Sequence, residues 1–163
     1  MNFRYLDTPL GTLRLVSEEG CLTRIEFPRQ HGEEGTAAPD DGVLAACAAQ
    51  LREYFAGRRR HFDLPLAARG THFQRSVWAA LANIPYGELR SYRDVARSIG
   101  NPAAVRAVGA ANGRNPLPIV VPCHRVIGSN GALTGFAGGL EAKLLLLQLE
   151  GALDKRLALA HRR

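Results

Sequence analysis

Three adjacent residues, Cys123, His124 and Arg125, place a thiol, an imidazole and a guanidinium side by side in a chain of 163 residues. A thiol is a strong nucleophile only as thiolate, and neighbouring cationic groups lower the cost of ionising it. The combination points to a nucleophilic cysteine, although most Cys-His pairs are a buried cysteine beside a surface histidine. Ahead of it, Asn115-Pro116-Leu117-Pro118-Ile119-Val120-Val121-Pro122 is β-branched and flanked by prolines, which reads as a short buried extended stretch that delivers Cys123 to a fixed place. Adjacent side chains of an extended chain point to opposite faces, so Cys123 and His124 need a bridging water or a backbone twist to share a proton. The other thiols, Cys21 and Cys47, show no C-x-x-C spacing, and neither a disulfide framework nor a zinc cluster is signalled. Cys21 with His31 is too sparse a set for zinc.

The elements that must hold these groups follow from hydrophobic spacing. Phe3, Tyr5, Leu13, Leu15, Cys21-Leu22, Ile25 and Phe27 are separated by Thr8-Pro9-Leu10-Gly11 and Glu18-Glu19-Gly20, turn chemistries that predict a small antiparallel sheet. From Asp40-Asp41, the run Val43, Leu44, Cys47, Leu51, Tyr54, Phe55 recurs at three and four residues and stops at Gly57, predicting an amphipathic helix with Cys47 on its apolar stripe. Arg58-Arg59-Arg60-His61 beyond its end reads as a solvated charge run. Leu64 to Gly70 lacks a helical period and contains breakers, so a boundary is expected there: residues 1–70 form an α/β scaffold domain and residues 71–163 a second domain.

In the second part, Phe73, Val77, Trp78 and Leu81 form a helical stripe ending before Pro85-Tyr86-Gly87. Ser91-Tyr92-Arg93-Asp94 resembles a capping box, and Gly100 stops the helix it opens. Asn101-Pro102 then restarts a helix, with Asn as N-cap and Pro at the first helical position, running to Asn112-Gly113. The pair reads as a helix-turn-helix or as an ordinary helical hairpin. Its second helix carries Ala103, Ala104, Arg106, Ala107, Gly109, Ala110 and Ala111, nearly bare of side chains that read bases. Against DNA it would make a contact of low sequence preference, suited to scanning.

Composition supports this direction. With 46% hydrophobic and 22% charged residues, the chain can pack a core and is not disordered. Apolar runs such as Leu144 to Leu147 are far too short to span a bilayer, and Met1-Asn2-Phe3-Arg4 leads into no signal-like stretch. A soluble, cytoplasmic protein without membrane contact is expected. Residues 1–70 hold nine Arg against ten acids, net −1, whereas residues 71–163 hold ten Arg and two Lys against five acids, net +7. The second half therefore carries the positive field, which suits a polyanion such as nucleic acid.

Pro122-Cys123-His124-Arg125-Val126-Ile127, preceded by Asn115-Pro116 and followed by Gly138-Gly139 and Leu149-Glu150-Gly151, resembles the signature of the O6-alkylguanine-DNA alkyltransferases, also called methylated-DNA–protein-cysteine methyltransferases. The resemblance covers roughly Phe73 to Gly151, takes in Ile84-Pro85-Tyr86-Gly87-Glu88 and Ser91-Tyr92, and touches Thr8-Pro9-Leu10-Gly11 near the start. It implies an α/β fold: a small ribonuclease H-like N-terminal domain of antiparallel sheet plus helix, and a mostly helical C-terminal winged helix-turn-helix domain. The activity it implies is DNA repair by direct, irreversible transfer of the alkyl group of O6-alkylguanine, and of O4-alkylthymine, to Cys123. One molecule would act once, with no cofactor and no metal.

The same resemblance assigns roles. His124 takes the thiol proton through a water, Glu150 orients the imidazole, and Asn115 holds the turn beneath the site. Tyr92 crowds the DNA backbone and donates a proton toward the guanine ring as it leaves. Arg106 fills the gap that a flipped base leaves in the stack, while Ala104, Ala107 and Ala111 let the helix approach the minor groove of double-stranded DNA. Val126, Phe136, Ala137 and Gly138 wall the pocket. Where some relatives carry Tyr-Ser before the paired glycines, this chain has Phe136-Ala137, so altered lesion preference and tolerance of larger alkyl groups are expected. The length fits the stand-alone bacterial form, a monomer when free. A cysteine hydrolase would instead need an oxyanion hole and turn over repeatedly. A helix-turn-helix regulator would show a large sequence ratio in binding, and alkyltransferase-like lesion sensors lack the acceptor cysteine.

Overall fold

In the computed structural model, which describes residues 1–156 and Leu159, the chain divides into two units, Met1–Arg69 and Gly70–Arg163. The first is built on strands β1 (Asn2–Thr8), β2 (Gly11–Glu18), β3 (Cys21–Glu26) and β4 (Thr36–Ala37), in the order β3-β2-β1-β4. β1, β2 and β3 pair antiparallel through two-residue loops. Glu19 and Gly20 both have positive φ, the backbone that tight hairpins require, because its twist matches that of the flanking strands. β4 departs from the antiparallel expectation by pairing parallel to β1. At two exposed residues it is too short for any alternation to announce it.

Helix α1 (Gly42–Phe55) begins where Asp41 accepts hydrogen bonds from the Val43 and Leu44 amides, at 3.0 and 3.1 Å. It buries Leu44, Cys47, Ala48, Leu51 and Tyr54 on one face. Burial pushes the Cys47 thiol up to about 12, as befits a core residue and not a nucleophile. Arg14 and Glu26 form a buried ion pair at 2.8 Å. Glu26 also accepts from the Gly32 amide and Arg14 donates to the Glu34 carbonyl, so the segment leading to β4 is tied to the sheet.

The second unit is mostly helical. Helix α2 (His72–Ala82) opens on a capping box between Thr71 and Gln74, and its Trp78 indole donates to the Ala111 carbonyl at 2.8 Å. Strand β5 (Arg90–Ser91) leads directly into helix α3 (Tyr92–Ser98), where Ser91 and Asp94 cap each other reciprocally. Gly100, at φ +73°, ends α3 in the left-handed conformation, and the Asn101 amide reaches back to the Ala96 carbonyl. Helix α4 (Val105–Gly113) starts later than Asn101-Pro102 suggested. Asn101 to Ala104 instead forms a turn closed by the Ala104 amide on the Asn101 carbonyl at 3.0 Å, with Pro102 at its second position. The fixed φ of proline suits that position as well as the first position of a helix.

Beyond α4, a 3₁₀ turn (Cys123–Arg125) runs into strand β6 (Val126–Ile127), and helix α5 (Leu140–Leu149) follows. β5 pairs parallel to β6, Arg90 with Val126 and Ser91 with Ile127. This small ladder matters for function because Tyr92 follows one strand directly and Cys123–Arg125 precedes the other. Among the described residues no helix is long and apolar enough to cross a membrane.

Candidate active site

The approach to Cys123 is a tight turn, not the extended stretch expected from its β-branched residues. The Val121 amide closes onto the Leu117 carbonyl at 2.8 Å, and Ile119, nearly fully buried, adopts φ +75°. A β-branched residue is strained there, at a cost of about 1–3 kcal/mol, and persists only because its surroundings enforce it. Asn115 spans this turn: its Nδ2 donates to the Val121 carbonyl at 2.8 Å and its Oδ1 accepts from the Leu117 amide at 3.0 Å. Asn112, missed in the sequence, donates to the Cys123 carbonyl at 3.4 Å. Cys123 and His124 lie in one 3₁₀ turn and not on an extended strand, and no direct hydrogen bond from His124 Nδ1 to the sulfur is formed.

Cys123 is 4% exposed. Burial pushes its thiol up to about 11, against the opposing pull of the Asn115 amide and the Lys143 charge. Arg125 therefore does not activate the sulfur as its adjacency in sequence suggested. Its guanidinium is turned to Glu150, with Nε donating to Oε1 at 2.8 Å and a terminal nitrogen to Oε2 at 3.1 Å. The other terminal nitrogen donates to the Ile84 carbonyl at 2.6 Å. Glu150, the C-cap of α5, also accepts from the Gly87 amide at 3.2 Å. Burial works against its charge, but the bonds from His124 and Arg125 outweigh that and hold the carboxyl well below the usual carboxylate range.

His124 is fully buried, and its Nε2 lies 2.7 Å from Glu150 Oε2. Desolvation holds the imidazole below its ordinary value, so it is neutral at physiological pH. Beside an ionised carboxylate, Nε2 must carry the hydrogen and Nδ1 the lone pair. Nδ1 is buried and has no hydrogen-bond partner among the described residues. A neutral base with its acceptor nitrogen unclaimed, next in the chain to a thiol that needs deprotonating, is equipped for nucleophilic catalysis.

Two further groups frame the sulfur. Tyr92 is half-buried at the start of α3, its hydroxyl 2.5 Å from Thr134 Oγ1, and burial holds the phenol above its usual range. Lys143 was missed in the sequence. It lies on the buried face of α5, desolvation drops its ammonium to about 8, and it donates to the Val126 carbonyl at 2.7 Å and the Thr134 carbonyl at 3.4 Å. The available signal was a lysine in phase with Ala142, Leu146 and Leu147 on an otherwise apolar stripe. Of the expected pocket wall, Val126 is fully buried, Phe136 and Gly138 are half-buried and Ala137 is exposed. On α4, Arg106 and Ala107 are exposed, and Ala104, the residue just before its first turn, is half-buried. Ala111 corrects the expectation of a groove contact: it is 3% exposed and faces inward, where its carbonyl receives the Trp78 indole.

A buried thiol next in the chain to a buried imidazole whose Nδ1 has no partner among the described residues, in a mostly helical unit, has the groups that one-cysteine group transfer needs. Comparison with known proteins narrows the class. Residues 1–68 match the ribonuclease-like domain and residues 72–152 the DNA-binding domain of 6-O-methylguanine DNA methyltransferase. The chain belongs to that family. It is 48% identical over 157 residues to a methylated-DNA–protein-cysteine methyltransferase of Methanosarcina acetivorans, covering 93% of this chain and 99% of the relative. With the constitutive enzyme of that name from Bacillus subtilis it is 51% identical over 151 residues, 88% of this chain and 92% of the relative. The crystal structure of Mycobacterium tuberculosis OGT in complex with DNA superposes with a TM-score of 0.87 at 46% identity, covering 97% of this chain and 99% of that one.

Proposed function

We propose that this chain repairs duplex DNA by moving the alkyl group of O6-alkylguanine, and of O4-alkylthymine, onto Sγ of Cys123. The observation that carries the reading is the His124–Glu150 pair at 2.7 Å, which leaves Nδ1 as a buried acceptor in the same turn as the thiol. Because Cys123 rests as a thiol, the base must act during the reaction. His124 accepts the proton through a bridging water, and Glu150, kept ionised by Arg125, stabilises the imidazolium. As sulfur attacks the alkyl carbon, the S–C bond forms and the C–O6 bond breaks. The leaving guanine takes up a proton, delivered by the Tyr92 phenol, which is re-protonated afterwards. The sum is thiol plus alkylated base giving thioether plus guanine, with the thiol hydrogen ending on the base. A thioether has no easy route back, so each molecule acts once.

The reading of the DNA side rests on α4. Its outer face is small, with Ala107 exposed and Ala104, just before its first turn, half-buried, so its backbone can lie close to the minor groove. Exposed Arg106 would fill the gap in the stack left by a flipped nucleotide, replacing part of a stacking loss of a few kcal/mol. The free protein is read as a monomer. The test is incubation with an O6-methylguanine duplex, followed by intact mass and peptide mapping. One methyl on the peptide holding Cys123, at no more than one per chain, is expected. Repeated turnover, or methyl elsewhere, overturns the reading.

A further inference from the structure

The segment from Gly128 to Gly139 carries five glycines in twelve residues and forms no helix or strand, so ordering it costs more backbone entropy than an average stretch would. Two bonds to other elements converge on one of its residues. The Thr134 hydroxyl is 2.5 Å from the Tyr92 hydroxyl at the start of α3, and the Thr134 carbonyl accepts from buried Lys143 of α5 at 3.4 Å. A third tie comes from the same ammonium, which donates to the Val126 carbonyl three residues after Cys123. Thr134 thus joins the glycine-rich segment to the two helices that flank the thiol.

We propose that Thr134 is a positioning residue for alkyl transfer, acting through the Tyr92 phenol that its side chain holds. This rests on the alkyl-transfer reading given above. A phenol turns freely about its C–O bond, and a hydroxyl partner on a tethered backbone limits the directions in which it can donate. With Lys143 fixing the Thr134 carbonyl, Oγ1 becomes a stationary partner. Tyr92 can then keep one hydrogen-bond direction for Thr134 and another for the base. A phenol acts as donor and acceptor at once, so the two contacts are compatible.

Single-turnover methyl transfer from an O6-methylguanine duplex, measured across duplex concentrations for wild type, T134V, T134S, Y92F and the T134V/Y92F pair, tests this. T134V keeps the side-chain shape and removes the hydroxyl, and is expected to lower the saturating rate about three- to tenfold, the worth of one hydrogen bond. Duplex affinity and melting temperature should stay as in wild type. T134S should restore the rate, and T134V should cost nothing further once Tyr92 is phenylalanine. A wild-type rate in T134V overturns the proposal, as does an equal loss in both backgrounds, which is the mark of a role in folding the segment. A wild-type chain that takes no methyl overturns the alkyl-transfer reading itself, and this one with it.

Discussion

His124 Nε2 and Glu150 Oε2 are 2.7 Å apart with both side chains out of water, although 26 residues separate them in the chain. Two strong constraints meet at this contact. The carboxylate is fixed in charge and place by the fork of Arg125 and by the Gly87 amide, and the imidazole is thereby fixed in tautomer. The carboxylate thus faces the Arg125 guanidinium on one side and a neutral ring on the other, and the ring's Nδ1 has no hydrogen-bond partner among the described residues.

Glu150→Gln tests that economy. The variant preserves shape but leaves the Arg125 guanidinium buried, at 6% exposure, without its counter-ion. Breaking a buried pair in this way costs about 3–5 kcal/mol. A lower denaturant midpoint should accompany a transfer rate reduced by at least about a hundredfold. Unchanged stability would mean that Arg125 is neutralised by some other group.

Replacing the base separates it from the nucleophile. His124→Gln can still donate to Glu150 but cannot accept the thiol proton through Nδ1. At neutral pH, transfer should fall by about a hundredfold or more. Because burial places the Cys123 thiol at about 11, the variant should recover about tenfold per pH unit as the solution approaches that value, doing with hydroxide what wild type does with imidazole. Rates of the variant that stay flat with pH would show that Cys123 is already ionised at rest.

Acid should destabilise the protein in two steps. The folded-state values of His124 and Glu150 both lie below their ordinary 6.5 and 4.5, so the unfolded chain binds protons more readily than the folded one. The stability each contributes is present above its ordinary value and is lost as pH falls below it, His124 first and Glu150 second. Lys143, held down to about 8, adds a fall of its own that ends around that value, so the series starts at pH 7: urea midpoints from there downward should begin to fall near 6.5, and His124→Gln should remove that decline while keeping the later one. A midpoint that rises on acidification between these values would contradict a buried neutral imidazole.

Much of the scaffold was legible because local chemistry and tertiary packing agree there. Asp41, Ser91 with Asp94, and Gly100 mark helix ends by side-chain or backbone hydrogen bonds that depend on neighbours in sequence. Where reading failed, a distant contact decided. Ile119 takes a left-handed backbone that no β-branched residue adopts alone, and Pro102 serves a turn as readily as a helix start. Ala111 looks identical in sequence to Ala107, yet one faces Trp78 and the other solvent. The site divides likewise. Cys123 and His124 announce themselves by adjacency, whereas the roles of Arg125 and Lys143 depend on a carboxylate 25 residues downstream of the one and on carbonyls across the fold from the other.

Arg106 offers the sharpest separation between DNA handling and chemistry. Its side chain is exposed on α4, whereas Cys123 and His124 lie on the 3₁₀ turn, Glu150 at the end of α5 and Asn115 at the turn it spans. Truncation to alanine removes no buried contact, so melting should stay within about 0.5 kcal/mol of wild type. Free O6-benzylguanine needs neither flipping nor a filled stack and should react with Arg106→Ala at nearly the wild-type rate. A duplex substrate must pay the unstacking cost, and without the guanidinium its transfer should slow about tenfold or more, each factor of ten answering to about 1.4 kcal/mol of lost stabilisation. Equal slowing of both substrates would place Arg106 in the chemistry of the pocket, and equal rates with both would remove it from the DNA contact altogether.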